Sequence, residues 1–158
     1  MISPFTVFAF DEVYYVRDDD GGPYGNQSGV GWANAFAGMA AVSYGTGAGQ
    51  VGPGDLLCID GDVVSSANVT VTQGGTSTLV PFTISGSGFA SCNDGSDSGT
   101  GKVRLDIAGS GAVMNIRGDF TTVRDLTVQG AGASTPSVGA DGLSVGIRGR
   151  LRTFDRYG

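Results

Sequence analysis

Within residues 59–149 one triplet keeps returning: Ile59-Asp60-Gly61, Ile84-Ser85-Gly86, Ile107-Ala108-Gly109, Val128-Gln129-Gly130 and Ile147-Arg148-Gly149. Its first residues lie 25, 23, 21 and 19 apart, and Ile116-Arg117-Gly118 adds a copy inside the third gap. A strand that ends in the same turn at so regular a spacing is the mark of a coil stacked on itself. Working outward, β-branched alternation and Gly, Ser, Asn or Asp boundaries predict strands over 13–16, 55–60, 68–73, 81–85, 103–108, 112–117, 122–129 and 143–148. Residues 86–101 and 130–142 read as side loops.

Short strands of this kind cannot bury their inward side chains alone, so they must stack at about 4.8 Å. The inward column would hold Leu57, Ile59, Val69, Val71, Phe82, Ile84, Leu105, Ile107, Val113 or Met114, Ile116, Val123, Leu126, Val128, Val145 and Ile147. The open ends of such a stack need covering. Trp32, Phe36 and Met39, spaced i, i+4 and i+7 among alanines, predict a short amphipathic helix that caps the N-terminal end. An apolar arm over 1–12 precedes a capping unit over 13–54, and the coils occupy 55–158. Beyond Ile147, Phe154 and Tyr157 are the residues that could close the far end.

The composition is low in charge (15%) and rich in glycine, with 29 residues. Glycines between Val/Ile/Leu runs act as turn residues here, not as a disordered filler. The net charge of −6 argues against nucleic-acid binding. Its distribution is uneven. Residues 1–100 carry ten acids and one base, and residues 101–158 carry five acids and eight bases, giving −9 and +3. No window has the length of a membrane span. Ile2 to Phe10 is apolar but lacks a basic flank and a small-residue cleavage site, so it reads poorly as a secretory signal. Two cysteines make no disulfide framework, and Cys58, inside an apolar run, is expected as a buried free thiol.

Several stretches together resemble the N-terminal part of a right-handed parallel β-helix of the pectate-lyase-like superfamily. They are Val13-Tyr14-Tyr15-Val16, the run from Gly31 through Trp32 to Met39, Gly52-Pro53-Gly54-Asp55, Val69-Thr70-Val71-Thr72, Gly74-Gly75-Thr76, Pro81-Phe82-Thr83-Ile84 and the rung from Val123 to Val128. The resemblance spans roughly residues 13–149 and implies an all-β fold: a right-handed parallel β-helix of four or five short coils with an N-terminal capping helix and an extended apolar arm. It also implies a range of activities, from polysaccharide lyases and glycoside hydrolases to phage tailspikes and non-catalytic repeats.

The chemistry is sparse. The chain has no histidine, which removes histidine acid–base and nucleophilic mechanisms and the usual nitrogen ligands for zinc. Asp60, Asp106, Asp119 and Asp125 are scattered, and Lys102 is the only lysine. No catalytic residue or organic cofactor is therefore assigned. Calcium is the one ion the loops could hold, at Asp18, Asp19 and Asp20 or at Asp94 and Asp97, since flexible Asp/Asn/Gly loops supply oxygen ligands. Gly45-Thr46-Gly47-Ala48-Gly49 lacks the Lys-Ser/Thr of a phosphate cradle. Tyr14, Tyr15, Tyr24 and Trp32 could stack on a sugar or pack a cap.

The expected function is a non-enzymatic structural or attachment protein of a virion (a tail fibre, spike or decoration subunit) or of an extracellular assembly. Its partners would be further copies or other assembly subunits, or a glycan, with no membrane involved. The surface expected to carry this comprises Phe5, Phe8, Phe10, Tyr24, Arg148, Arg150, Arg152 and Arg156. The alternatives are the N-terminal part of a secreted polysaccharide lyase or glycoside hydrolase, and a carbohydrate-binding β-helix.

Overall fold

Leu56-Leu57-Cys58-Ile59 is apolar on both sides, as a strand covered on both faces must be. In a computed structural model of the chain it is strand β3 (Leu56–Ile59), and all four side chains are buried. The structure describes residues 9–17, 24–65, 69–86, 89–92, 101–105, 114–130, 137–140, 143–146 and 150–156. Strand β1 (Val13–Arg17) lies parallel to β3 on one side, and β6 (Phe82–Gly86) lies parallel on the other. Strand β9 (Thr121–Gly130) follows β6, and β2 (Phe36–Ala37) pairs with the end of β1. Strands β7 (Gly101–Leu105) and β4 (Gly61–Ser65) extend the same sheet from β9. The register sets Tyr14, Leu57, Ile84 and Val123 side by side across four strands.

A second, four-stranded sheet runs β11 (Leu143–Gly146), β10 (Ser137–Ala140), β8 (Met114–Ile116) and β5 (Val69–Val71). Leu57, Ile59, Val71, Phe82, Ile84, Ile116, Val123 and Leu126 of the expected column are buried in one cluster. The Tyr44 hydroxyl, packed beside Phe82, is buried with no hydrogen-bond partner among the described residues.

The expected right-handed parallel β-helix is not the architecture found. A solenoid stacks each strand on its counterpart in one direction, coil after coil. Here β12 (Arg150–Arg156) runs antiparallel on β9, and β11 runs antiparallel on β10. Strand β9 also divides its partners: Thr121–Arg124 pair with β6, whereas Thr127–Gly130 pair with β7. The division falls at Asp125, whose φ of 49° is a left-handed kink. The kink breaks strict alternation, so Val123 and Leu126, three apart, both reach the core. Among the described residues the result is a β-rich fold of one eight-stranded and one four-stranded sheet, parallel in most pairings.

The capping helix is also corrected. Trp32–Asn34 and Met39–Ala41 are single 3₁₀ turns, and Phe36–Ala37 between them is β2. Gly31 and Gly38 enter the two turns at φ of 75° and 78°, which a continuing α-helix excludes. Backbone pairing of Phe36–Ala37 with Val16–Arg17 then outweighs the alanine-rich helical propensity. The stretch expected as a loop over 130–142 contains β10, and the far end, expected to need a cap, forms β12.

Candidate functional site

The strand β1–β3 pairing brings together acids that are 43 residues apart. Asp55 precedes β3 and is buried; its carboxylate accepts the amide of Glu12 at 3.2 Å and that of Gly52 at 2.8 Å. Asp11 and Glu12 precede β1 and are exposed. Glu12 accepts the Tyr14 hydroxyl. Beside them the 45–52 loop folds back on itself. The Gln50 side chain holds it, accepting the Gly47 amide at 3.0 Å and donating to Ser43 Oγ at 3.3 Å. A cleft of about 420 Å³ lies between the loop and these acids. Its lining carries three carboxylates and no base, so it repels anions and attracts cations.

Burial pushes the Asp55 carboxyl above the usual carboxylate range, the two backbone amides oppose that shift, and the nearby Glu12 and Asp11 charges add to it. Burial, together with the Glu12 carboxylate, raises the Tyr14 phenol. The raised acid makes a signed prediction. The folded state holds the Asp55 proton more tightly than the unfolded state, so this group's contribution to stability falls as pH rises through that window. Asp55→Ala should flatten this part of the pH–stability curve. It should also lower stability at neutral pH by about 2 kcal/mol, because two amides lose their acceptor. Urea midpoints of both proteins across the acid range check this; a parallel pair of curves would refute it.

Next to the cleft, sharing Asp11, is a smaller groove of about 150 Å³ lined by Phe10, Gly54, Leu79, Val80 and Pro81. Leu79 is 72% exposed and Val80 38%. They sit on a tight turn, not a loose loop. The Thr76 amide donates to the Val80 carbonyl, and the Val80 amide to Ser77. At the base of this turn Gly74 lies so close to the Gly118–Asp119 backbone that a Cβ would not fit.

On the other face of the sheet, Cys58 and Cys92 form a disulfide, both fully buried. This corrects the expectation of a free thiol. The two residues are 34 apart in sequence, and the 3₁₀ turn at Ala90–Cys92 is what lays one over the other. Trp32 packs in the same cluster and donates its indole N–H to the Cys92 carbonyl at 3.1 Å. Tyr15 meets the Trp32 ring edge-on at 4.5 Å between centroids. Arg17 lies over the rings of Tyr24 and Trp32 and pairs with the buried Asp60 at 3.9 Å.

The residues singled out from sequence divide as follows. Phe10 and Tyr24 are partly buried against the disulfide cluster. Trp32 and Tyr14 are 2% exposed, so neither offers a ring face to a sugar. Arg150, Arg152 and Arg156 lie on β12, with Arg150 opposite Thr127 and Arg156 opposite Thr121. Asp18, Asp19, Asp20, Asp94, Asp97, Phe5, Phe8 and Arg148 lie outside the described residues. Among the described residues, no group of three or more His, Cys, Asp or Glu is disposed to hold a metal ion. Nor is any helix there long and apolar enough to cross a membrane. Sequence reasoning missed Asp11, Glu12 and Asp55 as a group, and Leu79 with Val80. Leu79-Val80-Pro81 after Gly74-Gly75 was a visible signal of an apolar turn. Comparison with protein families, curated proteins and solved structures returns no match.

Proposed function

We propose that this chain is a structural or attachment protein that works by associating with further copies, as part of a virion or an extracellular assembly. The observation that carries the reading is the exposed Leu79–Val80 turn beside Phe10. Leu79 and Val80 share one groove with Phe10 and Pro81, and a contiguous apolar patch of this kind, unlike a single exposed side chain, marks a contact surface. A rigid presentation also lowers the entropy lost on docking. The buried disulfide supports a setting outside the reducing cytosol, where such bonds persist. The buried acids support a structural role too: Asp55 holds backbone amides and Asp60 pairs with Arg17.

Light scattering over a concentration series tests the reading. Association should be seen, and Leu79→Asp should weaken it by about tenfold or more, which corresponds to about 1.4 kcal/mol. Its unfolding free energy from urea titration should stay within about 0.5 kcal/mol of the wild type, since the side chain is exposed. A wild-type protein that remains monomeric at all concentrations would refute the assembly reading.

A further inference from the structure

We infer that residues 1–8 of one copy dock in the Leu79–Val80 groove of another; this rests on the assembly reading above. The groove lies where three chain segments enter parallel strands. Phe10 and Asp11 lead into β1, Gly54 leads into β3, and Leu79, Val80 and Pro81 lead into β6. The Asp11 amide donates to the Gly54 carbonyl at 3.0 Å, and the Gly54 amide to the Pro81 carbonyl at 3.1 Å, so backbone hydrogen bonds fix the three segments to one another. Phe10 is anchored by an edge-on contact with Phe89, 6.1 Å between ring centroids. Residues 1–8 lie outside the described residues, and the chain joins them at Ala9, which itself lines the groove.

The sequence of this segment suits the groove. Met1-Ile-Ser-Pro-Phe-Thr-Val-Phe8 has no charged side chain and carries Ile2, Phe5, Val7 and Phe8. The groove lining is mostly apolar, with Asp11 its one charged residue. Turn chemistry and reach assign the segment to a neighbour's groove and not to its own. A return over its own Leu79 and Val80 needs a chain reversal next to Ala9. Residues 5–8, Phe-Thr-Val-Phe, hold no Gly, Pro, Asn, Asp or Ser to make one, and their β-branched and aromatic types favour extension. Extended, eight residues span about 26–29 Å, which carries them well past the groove they start from and onto a neighbouring copy.

Two full-length proteins test this. One carries Phe5→Asp and Phe8→Asp; the other carries Leu79→Asp. Each alone should associate at least tenfold more weakly than the wild type, measured by light scattering. An equimolar mixture should associate more tightly than either alone, because an intact arm of one protein then meets an intact groove of the other. A mixture no tighter than its components would overturn the arm–groove contact. So would arm substitutions that leave association unchanged while Leu79→Asp weakens it; the assembly reading would then stand with a different occupant. Arm substitutions that strengthen association would overturn it as well, since the arm would then be covering its own groove. If circular dichroism shows that the arm protein fails to fold, a synthetic peptide of residues 1–8 replaces it. The peptide should bind the wild type at least tenfold more tightly than it binds the Leu79→Asp protein, and equal binding would overturn the contact. A monomeric wild type would overturn the assembly reading itself.

Discussion

A protein with Cys58→Ala and Cys92→Ala should be less stable than the wild type by about 4 kcal/mol. The bond closes a chain segment of 34 residues, and the loss of unfolded-state freedom on closing a loop of that length is worth about 4 kcal/mol in the chain-entropy treatment. Alanine is the informative replacement. Both sulfurs are buried among Trp32, Ala35 and Leu56, and a serine hydroxyl there would add a desolvation cost of its own. Urea unfolding of the wild type, with and without a strong reductant, should reproduce most of the difference. Unfolding curves that agree within 1 kcal/mol, together with two titratable thiols in the unreduced protein, would refute the pairing. Local consequences should be uneven. Reduction frees the turn at Ala90–Cys92, and with it Phe89, over which Arg124 lies at 4.1 Å. The parallel core from β1 through β9 does not depend on this bond for its pairing.

The disulfide also marks the limit of what the sequence makes legible. Strands β1, β3, β5, β6 and β9 follow from β-branched alternation and turn residues, because both are local properties of a few neighbours. Eight members of the expected column, Leu57, Ile59, Val71, Phe82, Ile84, Ile116, Val123 and Leu126, are buried, and they follow for the same reason. The reversal of β12 onto β9 does not. Nothing in residues 150–156 records strand direction, which depends on the path of the preceding chain. The cysteine pairing requires the sheet to exist before a separation of 34 residues becomes a contact. The acids at 11, 12 and 55 come together only through the β1–β3 register. The helix expected over Trp32–Met39 fails differently. The same i, i+4, i+7 spacing also suits two 3₁₀ turns around a two-residue strand, and the positive φ of Gly31 and Gly38 selects the second solution.

Trp32→Ala should cost about 3–5 kcal/mol, the range for emptying a buried tryptophan site. The ring is 2% exposed and fills the cluster under the disulfide. Three further effects act in the same direction: Tyr15 loses its edge-on partner, Arg17 loses one of its two aromatic faces, and the buried Cys92 carbonyl loses the indole donor. Trp32→Phe separates volume from hydrogen bonding. It keeps much of the ring and removes the donor, so a loss of about 1–3 kcal/mol is expected from the unsatisfied carbonyl. In the Cys58→Ala, Cys92→Ala background the alanine effect should shrink, because the disulfide no longer holds the Cys92 carbonyl over the indole; contacting groups are coupled in this way. Urea midpoints for the four proteins of that cycle measure the coupling. If Trp32→Ala left stability unchanged and abolished binding to a glycan, the ring would have to be accessible, and its assignment to the core would be wrong. Tyr24 gives the contrast within the same cluster. It is only partly buried and lies at the rim under Arg17, so Tyr24→Ala should cost less than Trp32→Ala, the difference following the apolar area each ring withdraws from water.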